Sequence, residues 1–399
     1  MQTTPVGHTP SAFPATPPRV KIFGVGGAGV NIVGSLHLKP FPTVSCAVVD
    51  TDTASLAASP VSEKIQIGKV ATRGQGASRD AKLGGKAAHE DAGLLAQSVE
   101  GSDLVFIVAS TNGGTGGGVT PLLATLASDA HALVIIFAVT PLSIEGGRDR
   151  TMETLEQLRS CAEALIPVEN SVFEQTKEGA ESVEKTFALA SNFVELGITA
   201  LYSMLFNPAL PRKDMAALRG AFPVRDGRAF LVTGYGSDTA NALKQIASEI
   251  RNPAHKPTKR PANALLISIQ SGTPLLFSEI RTIVESLKQE FSGHENILTD
   301  VSTDTSLGNA MRLCVIGVSG GISQRAPERI SSENGDSPLS ALNPSPHPKI
   351  KMTQKELDFD LENKTERPET FFGRTSSEKI HGQNVDEPTY LRLGIKLPI

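Results

Sequence analysis

Cysteines and paired metal ligands are scarce in this chain. Its cysteines are Cys46, Cys161 and Cys314, an odd number with wide spacing. They fit neither a disulfide framework nor a zinc site, and they favour a reducing, cytosolic setting. The eight histidines lack the regular spacing of metal ligands, so we expect no metal site built from side chains.

The net charge is also small, and long apolar runs are lacking. A formal charge of -4 at pH 7 leaves no overall electrostatic footprint for nucleic acid. No apolar run approaches the roughly 18 residues that a membrane span needs. Residues 1–18, MQTTPVGHTPSAFPATPP, have neither the basic start nor the apolar core of a secretory signal. Their Pro, Thr and Ser content predicts a disordered N-terminal extension.

The order of apolar segments is typical of a globular α/β protein. With 399 residues, of which 39% are hydrophobic, the chain can form about two or three domains. Strand candidates alternate with helix candidates, which predicts a doubly wound parallel sheet covered on both faces. In a first domain, residues 19–183, the predicted strands are 20–23, 44–49, 104–109, 133–139 and about 163–168, and the predicted helices include 79–99 and 120–129.

A long helix and a smaller α/β domain are predicted next. Residues 184–206 contain no proline and carry apolar residues on most turns, which predicts a largely buried helix. The domain that follows spans residues 207–320. Its predicted strands are 229–236, 263–270 and 311–318, and its predicted helices are 238–250 and 277–291.

The chain changes character after Gly321. Residues 321–385 are polar and rich in Pro and Ser, so we expect a flexible linker. The last segment, residues 386–399, regains apolar and basic side chains. A linker that ends in a small amphipathic cluster predicts a tethered docking peptide.

The first glycine-rich loop follows the strand predicted at 20–23. In GVGGAGVN, Gly24, Gly26 and Gly29 match the G-x-G-x-x-G pattern, in which backbone N–H groups at a helix N-terminus approach a phosphate. Asp50 comes about twenty residues later, with Asp52 beside it, as a dinucleotide site requires. An NAD-dependent enzyme is therefore one hypothesis.

The second glycine-rich loop favours a different ligand. NGGTGGG, residues 112–118, lies between a buried strand and a candidate helix, where a flexible spacer is unusual. A dinucleotide site does not need a second phosphate cradle. Two such turns on neighbouring strands can hold one di- or triphosphate from both sides. The G-x-x-x-x-G-K-[ST] pattern of a P-loop is absent from the sequence.

These residues resemble a known family. From about residue 19 to 320, the chain is similar to FtsZ, the bacterial tubulin-like cell-division GTPase. The resemblance implies a tubulin/FtsZ-like Rossmann-type GTP-binding domain, a central helix and a smaller α/β C-terminal domain. The segments that carry it are GVGGAGVN, VVDTD (48–52), KIQIGKVATRGQGASRD (64–80), NGGTGGGVTP (112–121) and IEGGRDR (144–150).

The resemblance implies residue roles around GTP or GDP. Asn112 and Gly117 replace the usual Gly and Thr, so one hydroxyl contact is expected to be lost. The residues expected at the phosphates are Gly113, Gly114, Thr115, Gly116 and Gly118, with Gly27, Ala28, Gly29 and Asn31 from the first loop.

Further residues are expected at the nucleoside. Glu145 matches the acid that holds the ribose, followed by either Arg148 or Arg150, and Asn170 matches the Asn that contacts the nucleoside. Phe187 stands where an aromatic ring stacks on guanine, with ordinary core packing as the alternative. Asn192 replaces an Asp that reads guanine, and its neutral hydrogen bonds predict weaker selectivity.

The loop that completes a neighbour's nucleotide site is expected within residues 208–222. Against the family pattern N-x-D-x-x-D, this chain has Arg212, Asp214 and Ala217. Loss of one positioned acid commonly costs about 10²–10⁴ in rate, so we predict slow GTP hydrolysis, or a GTP-dependent filament without turnover. The alternative for Asp214 is a helix N-cap. Any Mg²⁺ is expected to bind through the nucleotide.

Assembly and docking are also implied by the resemblance. Subunits are expected to stack head to tail into a homopolymer that scaffolds division at midcell in the cytoplasm. In DEPTYLRL, residues 386–393, Pro388, Tyr390, Leu391 and Arg392 match the peptide that recruits membrane tethers and other division proteins. Neither nucleic acid nor direct membrane insertion is expected.

Overall fold

A computed structural model describes most of the two predicted domains. The described residues are 17–38, 43–206, 213–222, 227–251, 262–291, 296–319, 379–380 and 383–384. The predictions for most of the N-terminal extension, for Arg212, for nearly all of the linker and for the docking peptide concern residues outside these ranges.

Ten strands form one sheet in the larger part of the chain. Compared with the prediction, each expected strand is present, with its ends shifted by one or two residues. The strands are β1 (Val20–Val25), β2 (Val44–Asp50), β3 (Glu63–Gln66), β4 (Leu104–Ser110), β5 (Leu133–Thr140), β6 (Ala164–Glu169), β7 (Arg228–Gly236), β8 (Ala264–Ser271), β9 (Asn296–Thr303) and β10 (Met311–Ser319).

Helices follow most strands and cover the sheet. The helices are α1 (Gly26–Gly34), α2 (Thr53–Ala58), α3 (Lys69–Thr72), α4 (Ala81–Glu90), α5 (Ala92–Val99), α6 (Gly114–Asp129), α7 (Arg148–Ser160), α8 (Asn170–Phe173), α9 (Val183–Phe206), α10 (Met215–Ala221), α11 (Thr239–Arg251) and α12 (Phe277–Glu290).

The N-terminal half of the sheet is parallel, in the order β3-β2-β1-β4-β5-β6. Its central strands are buried on both faces because helices pack on each side, which explains their continuous apolar sequence. This arrangement confirms the predicted fold class. The carboxyl ends of β1, β4 and β5 meet at one edge, where both glycine-rich loops emerge.

The C-terminal strands continue the same sheet. β7 joins β6 through the single residue pair Leu165 and Arg228, and the order continues β7-β10-β8-β9. β10 is antiparallel to both β7 and β8, whereas β9 is parallel to β8. The smaller unit predicted from the sequence is therefore built on an extension of the first sheet.

Helix α9 crosses the protein interior between these two parts of the sheet. Its buried residues, among them Val194, Ile198, Leu201 and Leu205, belong to the largest apolar core. Contrary to the expectation from the apolar runs of the sequence, α9 is long and apolar enough by composition to span a membrane. Half of its most apolar window is buried inside the protein, as in the core helix of a globular domain.

Beyond residue 319, the structure describes only two short segments, Lys379–Ile380 and Gln383–Asn384, which pair as an antiparallel ladder.

Candidate functional site

The two glycine-rich loops touch each other backbone to backbone. Gly26 begins α1 directly after β1, and Gly116 lies in the first turn of α6 after β4. Gly26 has a φ of +69°, and a Cβ on it would lie 2.9 Å from the Gly116 nitrogen. Only glycine combines this left-handed backbone with so close an approach. The two glycine-rich turns, both of a type that can bind phosphate, are therefore in direct contact.

The glycines of these loops fall into two groups. A Cβ on Gly29 would lie 2.2 Å from the Val108 carbonyl oxygen, and a Cβ on Gly116 would lie 2.4 Å from that of Ser110. At these two positions close packing is sufficient to require a glycine. A Cβ on Gly27 would meet nothing within 4 Å, and one on Gly113 would make only ordinary contacts at 3.5 Å. At these two positions the lack of a side chain leaves the backbone open to a ligand.

Both helices that begin at the loops lack a side-chain cap. Val25 precedes α1 and Gly113 precedes α6, and neither residue has a side chain that accepts a hydrogen bond from the first turn. The first N–H groups of a helix need partners, and the helix dipole makes an anion a favourable one. Two adjacent N-termini without side-chain caps suit a polyphosphate. In α6 the first N–H group, that of Gly114, already donates to the Ser78 carbonyl oxygen at 2.6 Å, so the later N–H groups of the turn are those that can bind an anion.

Hydroxyl and carboxylate groups tie the second loop to the end of β2. Thr115 shares a 2.7 Å hydrogen bond with Thr51, hydroxyl to hydroxyl, and both residues are buried. Asp50 is 3% exposed and accepts hydrogen bonds from the backbone N–H groups of Thr51 and Asp52. Burial raises the pKa of the Asp50 carboxyl above its usual value, although these hydrogen bonds oppose the shift.

Asp52, the neighbour of Asp50 in the dinucleotide hypothesis, has a structural role. Its carboxylate caps α2 by accepting from the N–H of Ala54 at 3.0 Å. Neither carboxylate therefore projects freely in the way that a ribose contact requires.

Asn112 links the second glycine loop to the loop after β5. Its Nδ2 donates to the Gly146 carbonyl oxygen at 3.5 Å, while its buried Oδ1 has no partner. A Cβ on Gly147, which has a φ of +84°, would lie 2.7 Å from that Oδ1. The larger side chain at 112 is thus accommodated by a glycine opposite it.

A cavity of about 680 Å³ runs between α1 and α9 beside the loops. Its volume is within the range typical of small-molecule sites. Five residues predicted at the nucleotide line it: Ala28, Asn31, Asn170, Phe187 and Asn192.

Two of these residues carry features that suit a ligand. Asn170 donates from Nδ2 to the Thr140 carbonyl oxygen at 2.8 Å, and its buried Oδ1 has no hydrogen-bond partner. Phe187 is 45% exposed, so core packing does not account for its position. An orphaned amide oxygen and an accessible aromatic ring fit a ligand with both hydrogen-bonding edges and a flat face.

The cavity also contains residues that motif comparison missed. They follow one another along α9 at intervals of four, three and four residues, which places them on one face of the helix, and this helical periodicity was the signal that could have found them. These residues are Glu184, Ala188, Ser191 and Glu195, and they face Ser35 and His37 across the cavity.

Glu145 and the two arginine candidates lie outside the lining of this cavity. Glu145 accepts from the N–H of Leu142 at 3.3 Å, and its Oε2 is 3.9 Å from Arg79. Arg150 lines a separate cleft between α4, α6 and α7, together with Arg79 and Thr154. Arg148 is exposed at the start of α7.

Position 117 faces the separate cleft as well. A Cβ on Gly117 would lie 3.3 Å from the Cγ2 of Thr154, on α7. A threonine side chain at position 117 would therefore contact α7.

Asp214 is exposed at the start of α10. Its Oδ1 accepts from the N–H of Ala217 at 2.7 Å, which is the geometry of a helix N-cap. The Lys213 nitrogen donates to the Met204 carbonyl oxygen at 3.2 Å, so this turn is anchored to the end of α9. In the described part of the chain, no group of three or more His, Cys, Asp or Glu side chains could hold a metal ion.

Family models match most of the two predicted domains. Residues 19–177 match the model of the Tubulin/FtsZ family, GTPase domain. Residues 227–322 match that of the FtsZ family, C-terminal domain.

Individual proteins are similar over most of the chain. Cell division protein FtsZ of Caulobacter vibrioides is 26% identical over 360 residues, which cover 89% of this chain and 71% of that protein. Cell division protein FtsZ 1 of Halobacterium salinarum is 28% identical over 327 residues, covering 82% of each.

Solved structures share the fold. A dimer of FtsZ from M. jannaschii, described as empty, has a TM-score of 0.69 and 24% identity, and the match covers 77% of this chain and 89% of that one. A GTPγS-bound protofilament of CetZ2 from Haloferax volcanii has a TM-score of 0.59 and 21% identity, covering 75% and 93%.

Proposed function

The chain belongs to the tubulin/FtsZ family, and on this premise we propose that it is a GTP-binding protein that polymerises head to tail and scaffolds cell division. The observation that carries the proposal is the meeting of the two glycine loops, Gly26 against Gly116, at one end of the cavity beside α1 and α9. This arrangement suits a polyphosphate joined to a flat, hydrogen-bonding base.

The phosphates of GTP or GDP are assigned to the two loops. Their uncapped helix N-termini and the open backbone at Gly27 and Gly113 support this assignment. The remaining phosphate residues in the proposal are Ala28, Gly29, Asn31, Gly114, Thr115, Gly116 and Gly118. Mg²⁺ is proposed to bind through the nucleotide. The internal hydrogen bonds of Asp50 favour GTP over the dinucleotide alternative.

The nucleoside is assigned to the cavity. Phe187 offers a ring for stacking, while Asn170 and Asn192 offer amides to the base or the ribose. Glu145 and either Arg148 or Arg150 are proposed to contact the nucleotide from the loop after β5, which Asn112 of the second glycine loop meets at the Gly146 carbonyl oxygen.

Hydrolysis is proposed to occur at the junction between subunits and to be slow. Asp214 would act on the GTP of the neighbouring subunit, where its carboxylate can position the attacking water. Its N-cap bond to Ala217 and the absence of a second acid at that position support a low rate. The same two features keep open the alternative of a filament that binds GTP without turnover.

The proposed setting is the cytoplasm at midcell, because the similar proteins from C. vibrioides and H. salinarum are named cell division proteins. Residues 386–393 are proposed to recruit membrane-tethering or other division proteins, as the resemblance of DEPTYLRL implies.

Sedimentation of the full chain tests the proposal. With GTP, we expect most of the protein to pellet above a threshold concentration, together with slow phosphate release. GDP and ATP serve as controls and should leave the protein in the supernatant. Equal pelleting with all three nucleotides, or pelleting with none, would contradict GTP-dependent assembly.

A further inference from the structure

The cavity between α1 and α9 contains a carboxylate to which the family resemblance assigns no role. Glu195 lines the cavity together with His37 and Asn192. Its Oε2 accepts a 3.0 Å hydrogen bond from the His37 backbone N–H. The side chain is 27% exposed, so the carboxylate is partly withdrawn from water but still accessible from the cavity.

Glu195 and Asn192 lie on the same face of α9. Residues three apart in a helix are neighbours on its surface, and helical side chains lean toward the N-terminus of the helix. The Glu195 side chain therefore extends back toward the turn that carries Asn192. Both side chains line the cavity, one turn apart.

The hydrogen bonds of this carboxylate leave one oxygen available. His37 occupies Oε2 through its backbone and places its exposed imidazole Nδ1 3.9 Å from the same atom. Among the residues that the structure describes, none donates a hydrogen bond to Oε1. An ionised carboxylate is purely an acceptor, so this oxygen can take a hydrogen bond from a ligand's N–H group.

We propose that Glu195 is a specificity-determining residue that accepts a hydrogen bond from the 2-amino edge of a guanine base. This inference rests on the proposed binding of GTP. It supplies the negative charge that Asn192 lacks, one helical turn further along the cavity. A hydrogen bond to a charged acceptor contributes more than a neutral one, so Glu195 would restore guanine selectivity that Asn192 alone provides weakly.

Binding of GDP and IDP to the full chain tests the proposal, because the inosine base lacks the 2-amino group. Both can be measured by competition against GDP that carries a fluorophore on its ribose. The wild-type protein is expected to prefer GDP. Glu195→Gln keeps the shape and the bond from His37 but removes the charge, and it should narrow the GDP-to-IDP affinity ratio about fivefold to tenfold. IDP affinity itself should change little.

Glu184→Gln is the matched control. Glu184 lines the same cavity eleven residues earlier on α9, and hydrogen bonds from its own backbone N–H and from Ser182 lower the pKa of its carboxyl. Removing this charge should leave the ratio unchanged. An equal loss in both variants, or an unchanged ratio in Glu195→Gln, would overturn the role of Glu195 while GDP binding stands. A wild-type protein that binds neither nucleotide would contradict the proposed function itself.

Discussion

At the scale of single residues, Asp214 shows how one carboxylate can have two roles. It caps α10 through the N–H of Ala217, and it is the proposed catalytic acid. Asp214→Asn separates these roles because Asn caps a helix about as well as Asp. We expect the free energy of unfolding to change by less than about 0.5 kcal/mol. Phosphate release with GTP should fall about 10²-fold or more.

The control for this substitution is Asp238→Asn. Asp238 accepts from the N–H of Asn241 near the start of α11, so it is a comparable helix-capping acid without a proposed catalytic role. Its substitution should leave phosphate release unchanged. If Asp214→Asn retains the wild-type rate, Asp214 serves only as a cap.

The reverse change, Ala217→Asp, restores the second acid of the family pattern. Position 217 is half-buried in the first turn of α10, where an acidic side chain also interacts favourably with the helix dipole. We expect α10 to remain folded and the rate of phosphate release to rise about 10²-fold. A release assay that detects no increase would favour the filament without turnover.

Site residues differed in how well the sequence alone could predict them. The glycine loops follow buried strands, so their approach could be predicted from the strand ends. Comparison with the family motifs selected Phe187 and Asn192. It did not select Glu195, whose proposed role depends on the backbone of His37 across the cavity. The N-cap of Asp214 was readable from local sequence, whereas the placement of Arg150 in a separate cleft depends on tertiary packing.

At the scale of elements, the crossing of α4 and α6 positions the second glycine loop. A Cβ on Gly84 of α4 would lie 2.1 Å from the Gly114 carbonyl oxygen, so the helices touch through their backbones. Gly84→Ala must push α6 and its loop aside. We expect a loss of about 1–3 kcal/mol in the free energy of unfolding. The affinity for GDP should fall with it.

Gly85→Ala is the matched control at the next position. A Cβ there would meet the Gly118 carbonyl oxygen at 3.7 Å, an ordinary contact. Alanine also favours the helix over glycine, so this variant should be as stable as the wild type or slightly more stable. Equal effects of both substitutions in urea denaturation and GDP titration would contradict the close crossing.

The sequence predicted the central elements better than the edges. Continuous apolar runs identified β4 and β5, but β3 and β9 are more polar strands at the two edges of the sheet and were not predicted. The helix predicted at 79–99 is two helices, with a break at Asp91, whose carboxylate accepts from the N–H of Gly68. Helix α6 begins six residues earlier than predicted because packing against α4 stabilises a glycine-rich first turn.

At the scale of the whole molecule, the sheet explains how one chain can provide both halves of the proposed shared site. The glycine loops lie at the carboxyl ends of β1 and β4. Arg219 lies on α10, the helix that Asp214 caps. It donates to the carbonyl oxygens of Asp103 and His131, which precede β4 and β5 at the amino ends of these strands. Head-to-tail stacking would bring the carboxyl ends of the strands in one subunit together with the amino ends in the next subunit.

The concentration dependence of GTP turnover tests this shared site most directly. If Asp214 acts on the neighbour's nucleotide, phosphate release per subunit should be near zero where the full chain is monomeric. It should rise together with the pelleted fraction and reach a plateau once filaments predominate. A release rate per subunit that stays constant at every concentration, including those at which ultracentrifugation finds only monomers, would contradict a site completed between subunits.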